Sequence, residues 1–263
     1  MNKLICILIF SSQIAEAALP ILEAKGVMAK NEQARQLSDV KADTKLTNID
    51  KGGSENVKKF TWWRKLAPNK VNFNTLTRFQ SPAEIRDEAV LFLEKENGKS
   101  EVLLYLPAFK KTRRVENQAQ SQSFMGSQFS YSDISTPDLN SFDYKLLPES
   151  TCHDGGVCYV VESTPKTVEV KERFGYSKQI QQIRSDNFMV SQVEYFNLEG
   201  QKLKKLMAYE NKEVDSQNSK WMAHRLEVEN FLNSKKTKIE FSNVKVNQGI
   251  SDALFAPQNI SRK

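Results

Sequence analysis

The stretch "YSKQIQQIRSDNFMVSQVEYFNLEGQKLKKLMAYE" (residues 176–210) decides the fold class. It divides into runs that are each about long enough for one β-strand, and the turn sequences "SDN" and "LEG" separate them. Two more such runs follow, "WMAHRLEVENF" (221–231) after the polar stretch 211–220 and "KTKIEFSNVKV" (236–246) after "NSKK". Sequential strands with short turns predict an antiparallel meander.

The earlier part of the chain extends this pattern. "VNFNTLTRF" places Val71, Phe73, Thr75, Thr77 and Phe79 on one face by period-two alternation. "AVLFLEKENGKSEVLLYLP" (89–107) indicates two strands joined at Asn97-Gly98, a dipeptide that favours tight hairpin turns. A sheet of this size must curl, close or be covered.

Helices are expected only near the two ends of the chain. "PILEAKGVMAKNEQARQL" (20–37) shows near-helical spacing of Ile21, Leu22, Met28 and Ala29. In "GISDALFAP" (249–257), Ser251 or Asp252 is a suitable N-cap and Pro257 a stop, so a short helix should plug or brace the sheet. No domain linker or internal repeat interrupts the chain, and we expect one domain over residues 18–263.

The amino-terminal sequence "MNKLICILIFSSQIAEAALP" predicts a signal peptide over residues 1–17. It has a lysine, an apolar run, and Ala15 and Ala17 in small-x-small spacing, so we expect cleavage near Ala17 and a soluble periplasmic protein. The formal net charge of +6 raises the question of nucleic acid, but export argues against that partner.

Of the three cysteines, Cys152 and Cys158 lie in "STCHDGGVCYV", on either side of the turn residues 154–156. In an oxidising periplasm we expect a disulfide across this hairpin, which would contribute roughly 2 kcal/mol in the chain-entropy model. A metal site that uses His153 is the alternative, but it lacks a fourth ligand and the usual paired spacing. We therefore expect no metal.

The sequence contains no recognisable catalytic or cofactor motif. Neither of the two histidines, His153 and His224, falls in a paired-ligand spacing, and neither a G-x-S-x-G elbow nor a P-loop is present. We therefore expect a protein that is not an enzyme and binds no cofactor.

Several segments together resemble the LolA-like family of outer-membrane lipoprotein-sorting proteins: "TLTRFQSPAEIRDEAVLFL", "EVLLYLPAFKKTRRVENQAQSQSFMGSQFSYSDI", "CYVVESTPK" and "DALFAPQNI". The resemblance spans about Ile21 to Ile260. It implies a mainly β, LolA/LolB-like fold: a strongly curved antiparallel sheet, or incomplete β-barrel, covered by a few helices and loops. It further implies an apolar concave face that accommodates lipid or lipoprotein acyl chains, and work alongside an RND-type exporter of the inner membrane.

We interpret Phe124, Met125, Phe129 and Tyr131 as lid or rim residues that close over a ligand, with Gly126 permitting the turn. The alternative is that these side chains cap the core of the barrel and bind nothing. Trp62 is the candidate cavity residue of the Trp62-Trp63 pair, because neighbouring residues of a strand point to opposite faces.

The basic cluster, which we define as Lys110, Lys111, Arg113 and Arg114, also has two interpretations. It is either a solvated face or a surface that steers the protein to anionic head groups or to an acidic exporter. The sequence thus predicts a periplasmic carrier or binding protein for a lipid-like amphiphile or lipoprotein acyl chains. The alternative is an accessory module that docks on an envelope transporter without carrying cargo.

Overall fold

The computed structural model describes residues 22–67, 69, 72–95 and 100–262. Within these residues, one antiparallel sheet of 13 strands runs in the order β6-β5-β4-β3-β2-β1-β13-β12-β11-β10-β9-β8-β7. The strands are β1 (Asp39–Ile49), β2 (Glu55–Leu66), β3 (Phe73–Ser81), β4 (Ala89–Glu94), β5 (Ser100–Leu106), β6 (Lys111–Val115), β7 (Phe142–Thr151), β8 (Val157–Pro165), β9 (Lys178–Arg184), β10 (Val190–Phe196), β11 (Lys202–Asp215), β12 (Lys220–Asn230) and β13 (Lys236–Val246). The predicted signal peptide, Ile21, Val71 and the Asn97-Gly98 turn lie outside the described residues.

The strand order leaves β6 and β7 at opposite edges of the sheet, although they follow each other in the chain. Their connection, residues 116–141, therefore crosses from one edge to the other, and we call it the crossover segment. The sheet curves strongly, because residues of β3 and residues of β7 line the same cavity. The predicted incomplete barrel is confirmed: in the described part of the chain, no pairing joins β6 to β7.

The carboxy-terminal meander is confirmed with one correction. We predicted a polar connection over residues 211–220, but β11 continues to Asp215 and β12 begins at Lys220. Backbone pairing of Glu213 with Trp221 extends the ladder through this stretch. We based the prediction on side-chain polarity. Backbone hydrogen bonds, however, also pair strands whose side chains face solvent on both faces of the sheet.

The predicted amino-terminal helix is confirmed as α1 (Ala24–Arg35), which packs against β7 and β12. Its buried face includes Val27 and Met28, but Ala29 is exposed, contrary to the predicted apolar face. The side-chain amide of Asn31 donates to the Phe188 carbonyl at 2.6 Å and attaches the helix to the sheet.

The other helices are short: α2 (Tyr131–Ile134), α3 (Val168–Phe174), and 3₁₀ turns at Ala83–Ile85, Pro107–Phe109, Asn117–Ser121, Phe124–Gly126, Leu139–Ser141, Asp252–Phe255 and Pro257–Asn259. Within the described ranges, no helix combines the length and apolar character that a bilayer crossing requires.

The carboxy-terminal segment braces the outside of the sheet. Ser251 Oγ accepts from the Ala253 N–H and caps the turn Asp252–Phe255, as the sequence indicated. Phe255 and Ile260 pack with Leu76 and Leu91 on the face opposite the cavity. Thr75 and Thr77 belong to the inward-facing row of β3, so Leu76 faces outward. It is nevertheless buried, because the carboxy-terminal segment covers it.

The disulfide between Cys152 and Cys158 is present, with a Cα–Cα distance of 5.3 Å. His153 has two other contacts: its Nε2–H donates to the Ala208 carbonyl at 2.8 Å, and its ring packs on Tyr209. Among the described residues, no group of three or more His, Cys, Asp or Glu side chains is arranged to hold a metal ion.

Candidate functional site

A cavity of about 340 Å³ lies on the concave side of the sheet. Its size falls within the usual range of small-molecule sites, roughly 300–1,000 Å³. The walls come from β1–β3, β7–β13, α1 and the crossover segment. Most of the lining is apolar and includes Phe60, Trp62, Leu206, Leu226, Ile239 and Phe241.

Strand alternation determines which β2 residues reach this cavity. Phe60, Trp62 and Arg64 all line it, whereas Trp63 packs on the outer face with its ring 5.7 Å from Lys41 Nζ. The two tryptophans thus point to opposite faces, as predicted. Trp62 lies in the wall, with its ring centroid 5.5 Å from that of Phe241.

The crossover segment forms the floor of the cavity. Phe124 and Phe129 line the cavity and belong to the main core cluster, with only 1% and 5% of their surface exposed. Met125 and Tyr131 are half-buried and pack against that cluster without reaching the cavity. The contacts of Phe124 and Phe129 match the core-cap alternative, while their position leaves them able to touch a ligand.

The turn between these aromatics depends on left-handed backbone conformations. Met125 has φ 50° and Gly126 has φ 75°. The Phe124 N–H donates to the Phe129 carbonyl at 2.7 Å and closes the loop. A side chain at Gly126 would be strained at this φ, which accounts for the glycine in an otherwise bulky stretch.

A buried ion pair attaches the crossover segment to β11. Lys204 Nζ lies 2.6 Å from Asp133 Oδ2, and each side chain is 5% exposed. Lys204 also donates to the Gln128 carbonyl at 2.8 Å, and the Tyr176 hydroxyl donates to Asp133 Oδ1 at 2.7 Å. Burial, together with the nearby Asp133 carboxylate, raises the pKa of Tyr176 well above its usual value.

One end of the cavity is charged, and we define this polar end as Glu32, Arg35 and Arg64. Arg64 Nη2 donates to Thr136 Oγ1 of the crossover segment at 2.5 Å, and the guanidinium lies 3.8 Å from the Phe73 ring centroid. Burial lowers the pKa of Arg64 to about 10. Burial likewise lowers the pKa of Arg35 and raises the pKa of Glu32.

The structure does not bring the basic cluster into the cavity. Lys110, Lys111, Arg113 and Arg114 are exposed on or beside the edge strand β6. Arg114 forms an ion pair with Glu101, so this arginine is partly neutralised.

Sequence reasoning missed Arg35, Arg64, Asp133 and Lys204. The period-two alternation of inward-facing residues along a strand could have identified two of them. Arg64 follows Phe60 and Trp62 at period two, and Lys204 precedes Leu206 and Ala208 in the same way. A charged residue in an inward-facing row of a strand needs a buried partner or a ligand.

Comparisons with known proteins agree with this architecture. A family model described as "Uncharacterized protein" matches residues 72–262. A crystallised domain from Vibrio parahaemolyticus, provisionally described as an outer membrane lipoprotein-sorting protein domain, superposes with a TM-score of 0.83 at 21% identity, covering 91% of this chain and 98% of that one. No curated protein matches the sequence.

Two further solved structures are similar. A DUF1329 family protein from Desulfovibrio piger gives a TM-score of 0.82 at 26% identity, covering 90% of this chain and 97% of the other. A LolA superfamily protein from Nitrosomonas europaea gives 0.70 at 17% identity, with 90% and 99% covered.

Proposed function

This chain belongs to the family described as "Uncharacterized protein" and has the LolA-like fold, and from this premise we propose that it is a periplasmic carrier or binding protein for an amphiphile with acyl chains. The observation that carries the proposal is the apolar cavity of about 340 Å³ under the curved sheet. A carrier needs such a cavity, because each methylene left in water costs about 0.8 kcal/mol, or on the order of 12 kcal/mol for a sixteen-carbon chain.

The nature of the cargo is proposed from the fold relatives. The Vibrio domain is provisionally described as lipoprotein-sorting, which supports lipoprotein acyl chains or a similar lipid as the ligand here. Export through a cleaved signal peptide at residues 1–17, followed by one domain over residues 18–263, is the corresponding proposal for localisation.

Binding without catalysis fits the placement of the histidines. His153 Nε2–H donates to the Ala208 carbonyl, and His224 Nδ1–H donates to the Met222 carbonyl at 3.2 Å. Each ring thus has a backbone partner, and neither lines the cavity. This arrangement supports a binding protein over a hydrolase.

An accessory role at an envelope transporter is the second candidate. The exposed basic cluster lies at a sheet edge, where it is accessible to a partner. An RND-type exporter with an acidic surface would be attracted by these charges. This role and acyl-chain binding differ in one respect, since only the second requires the cavity.

Filling the cavity should therefore weaken ligand binding without a comparable loss of fold stability. Ala208 is buried in the inward-facing row of β11 and lines the cavity. We expect Ala208→Phe to weaken binding of a fluorescent fatty-acyl probe by about tenfold or more, because two methylenes kept out of the cavity lose about 1.6 kcal/mol. Titration of the purified protein with the probe measures this.

The matched control is Ala253→Phe, which adds the same ring at an exposed position of the carboxy-terminal segment. It should leave probe affinity unchanged. Thermal unfolding of both variants shows whether the fold survives. Failure of the wild-type protein to bind any acyl probe would refute the carrier role and leave the accessory role.

Charge reversal in the basic cluster tests the second candidate. Changing Lys110, Lys111 and Arg113 to glutamate should slow association with anionic vesicles at low salt, with the difference shrinking above 0.1 M salt, where screening acts over roughly 10 Å. Reversal of the scattered exposed residues Lys145, Lys235 and Lys245 gives the same net charge and is the control. Equal association rates for the two triple variants would show that the basic cluster is only a solvated face.

A further inference from the structure

The polar end of the cavity contains two arginines that are not directly ion-paired within the residues that the structure describes. Arg35 and Arg64 line it, and in the described ranges neither guanidinium forms an ion pair with a carboxylate within 4.0 Å. Buried charges are ordinarily paired, because an unpaired charge removed from water is destabilising. This end of the cavity is therefore unusual beside its apolar walls.

Arg64 is held in place but only partly satisfied. Its Nη2 donates to Thr136 Oγ1, and its plane lies against Phe73, so the guanidinium has a fixed orientation. Its Nε is buried without a hydrogen-bond partner among the described residues. A buried donor that has no partner in the protein is suited to bind an acceptor oxygen of a ligand.

Arg35 is similarly incomplete. Its Nε–H donates to the carbonyl of Asn31 in its own helix at 3.3 Å, and no other hydrogen bond of this side chain is recorded in the described part of the chain. The remaining guanidinium donors lie in the last turn of α1, at the cavity lining. Pairing of Val40 with Arg64 places β2 and the start of β1 at the same end of the barrel.

The nearby carboxyl groups are not bonded to these arginines. Glu94 accepts from the Phe73 N–H at 2.9 Å and from the Thr136 N–H at 2.7 Å, so the backbone fixes the position of this carboxylate. Burial raises the pKa of Glu32, and the nearby Arg35 guanidinium opposes this shift. The two arginines therefore keep guanidinium donors to which no carboxylate of the described residues bonds directly.

We propose that Arg35 and Arg64 bind the anionic head group, a carboxylate or a phosphate, of the amphiphile whose chain occupies the apolar part of the cavity. This inference rests on the proposed function, because the head group is fixed only if the chain binds. Guanidinium groups suit these anions, since their donors match two oxygens at once. The charged end would then orient the ligand, with its chain directed towards Leu226 and Ile239.

The test compares ligands that share a twelve-carbon chain and differ in head group. Dodecanoate and dodecyl phosphate, below their micelle concentrations, and dodecanol, below its solubility limit, compete with a fluorescent acyl probe. We expect the wild-type protein to bind both anions at least about tenfold more tightly than the alcohol, which is the effect of one charge-assisted hydrogen bond. Inorganic phosphate and acetate, which lack the chain, should compete weakly or not at all.

The decisive variant is Arg35→Gln, because within the described residues this side chain bonds only to its own helix. It should lose most of the preference for anions while its affinity for dodecanol stays unchanged. Arg64→Lys should lose part of the preference, since it keeps the charge but not the fork of donors. Arg262→Gln, an exposed position outside the cavity, should behave like the wild type.

The outcomes separate this inference from the proposed function. Equal binding of alcohol and anions by the wild type would overturn the head-group site while supporting the cavity as a chain-binding site. Binding of none of the three ligands would overturn both. An undiminished anion preference in the double variant Arg35→Gln with Arg64→Lys would assign the preference to other residues and reject this site. A larger preference for the phosphate than for the carboxylate would identify a phospholipid-like source.

Discussion

Replacement of Phe124 by alanine should lower the free energy of unfolding by about 3–5 kcal/mol, the usual range for removing a buried phenyl ring. Phe124 is 1% exposed. Its ring centroid lies 6.4 Å from that of Phe79, 6.2 Å from that of Phe92 and 5.5 Å from that of Tyr131. The loss removes contacts between the crossover segment and strands β3 and β4, so it should destabilise the whole sheet.

Chemical denaturation monitored by circular dichroism measures the effect. Met125→Ala is the matched control, because Met125 is adjacent but only half-buried, and it should cost clearly less. The triple replacement of Phe124, Met125 and Phe129 by serine distinguishes the two interpretations of the stretch. A core cap predicts a large loss of stability, whereas a lid predicts weakened probe binding with the stability unchanged. A Phe124→Ala protein as stable as the wild type would contradict the core contacts.

Removal of Lys204 should be comparably damaging. Lys204→Met leaves the Asp133 carboxylate buried without its cation, and breaking a buried ion pair from one side typically costs about 3–5 kcal/mol. The 2.6 Å contact joins the crossover segment to β11, and Lys204 also lies 5.0 Å from the Tyr195 ring centroid. The variant should therefore detach the crossover segment from β11 as well as lower the free energy of unfolding.

Lys202→Met is the matched control, since this lysine lies in the same strand but its side chain, which pairs with Glu194, is 45% exposed. Exposed pairs contribute about 1 kcal/mol or less. The double variant Lys204→Met with Asp133→Leu should recover part of the lost stability, because it leaves no unpaired buried charge. Equal small losses for Lys202→Met and Lys204→Met would show that the buried pair does not anchor the segment. Hydrogen exchange of residues 122–134 gives an independent measure.

Local patterns in the sequence determined the class of fold. Alternation in "VNFNTLTRF" and the short turns between residues 176 and 246 specify strands that pair with their chain neighbours, because such pairing needs only local contacts. The same local rule placed Trp62 and Trp63 on opposite faces and brought Cys152 to Cys158 across a hairpin. The predictions for Ala29 and for residues 211–215 were wrong. Side-chain polarity alone does not show which surface a neighbouring element covers.

Only the tertiary structure decided the content of the cavity. Lys204 and Asp133 lie 71 positions apart, and Arg64 meets Thr136 across 72 positions. These contacts exist because the crossover segment must span the two edges of a curved sheet, a constraint that no local pattern expresses. The sequence by itself thus determined strands, turns and the disulfide, through interactions between near neighbours. The burial of charges, the cavity floor and the polar end follow from long-range packing, which sets the dielectric surroundings and the partners of each group.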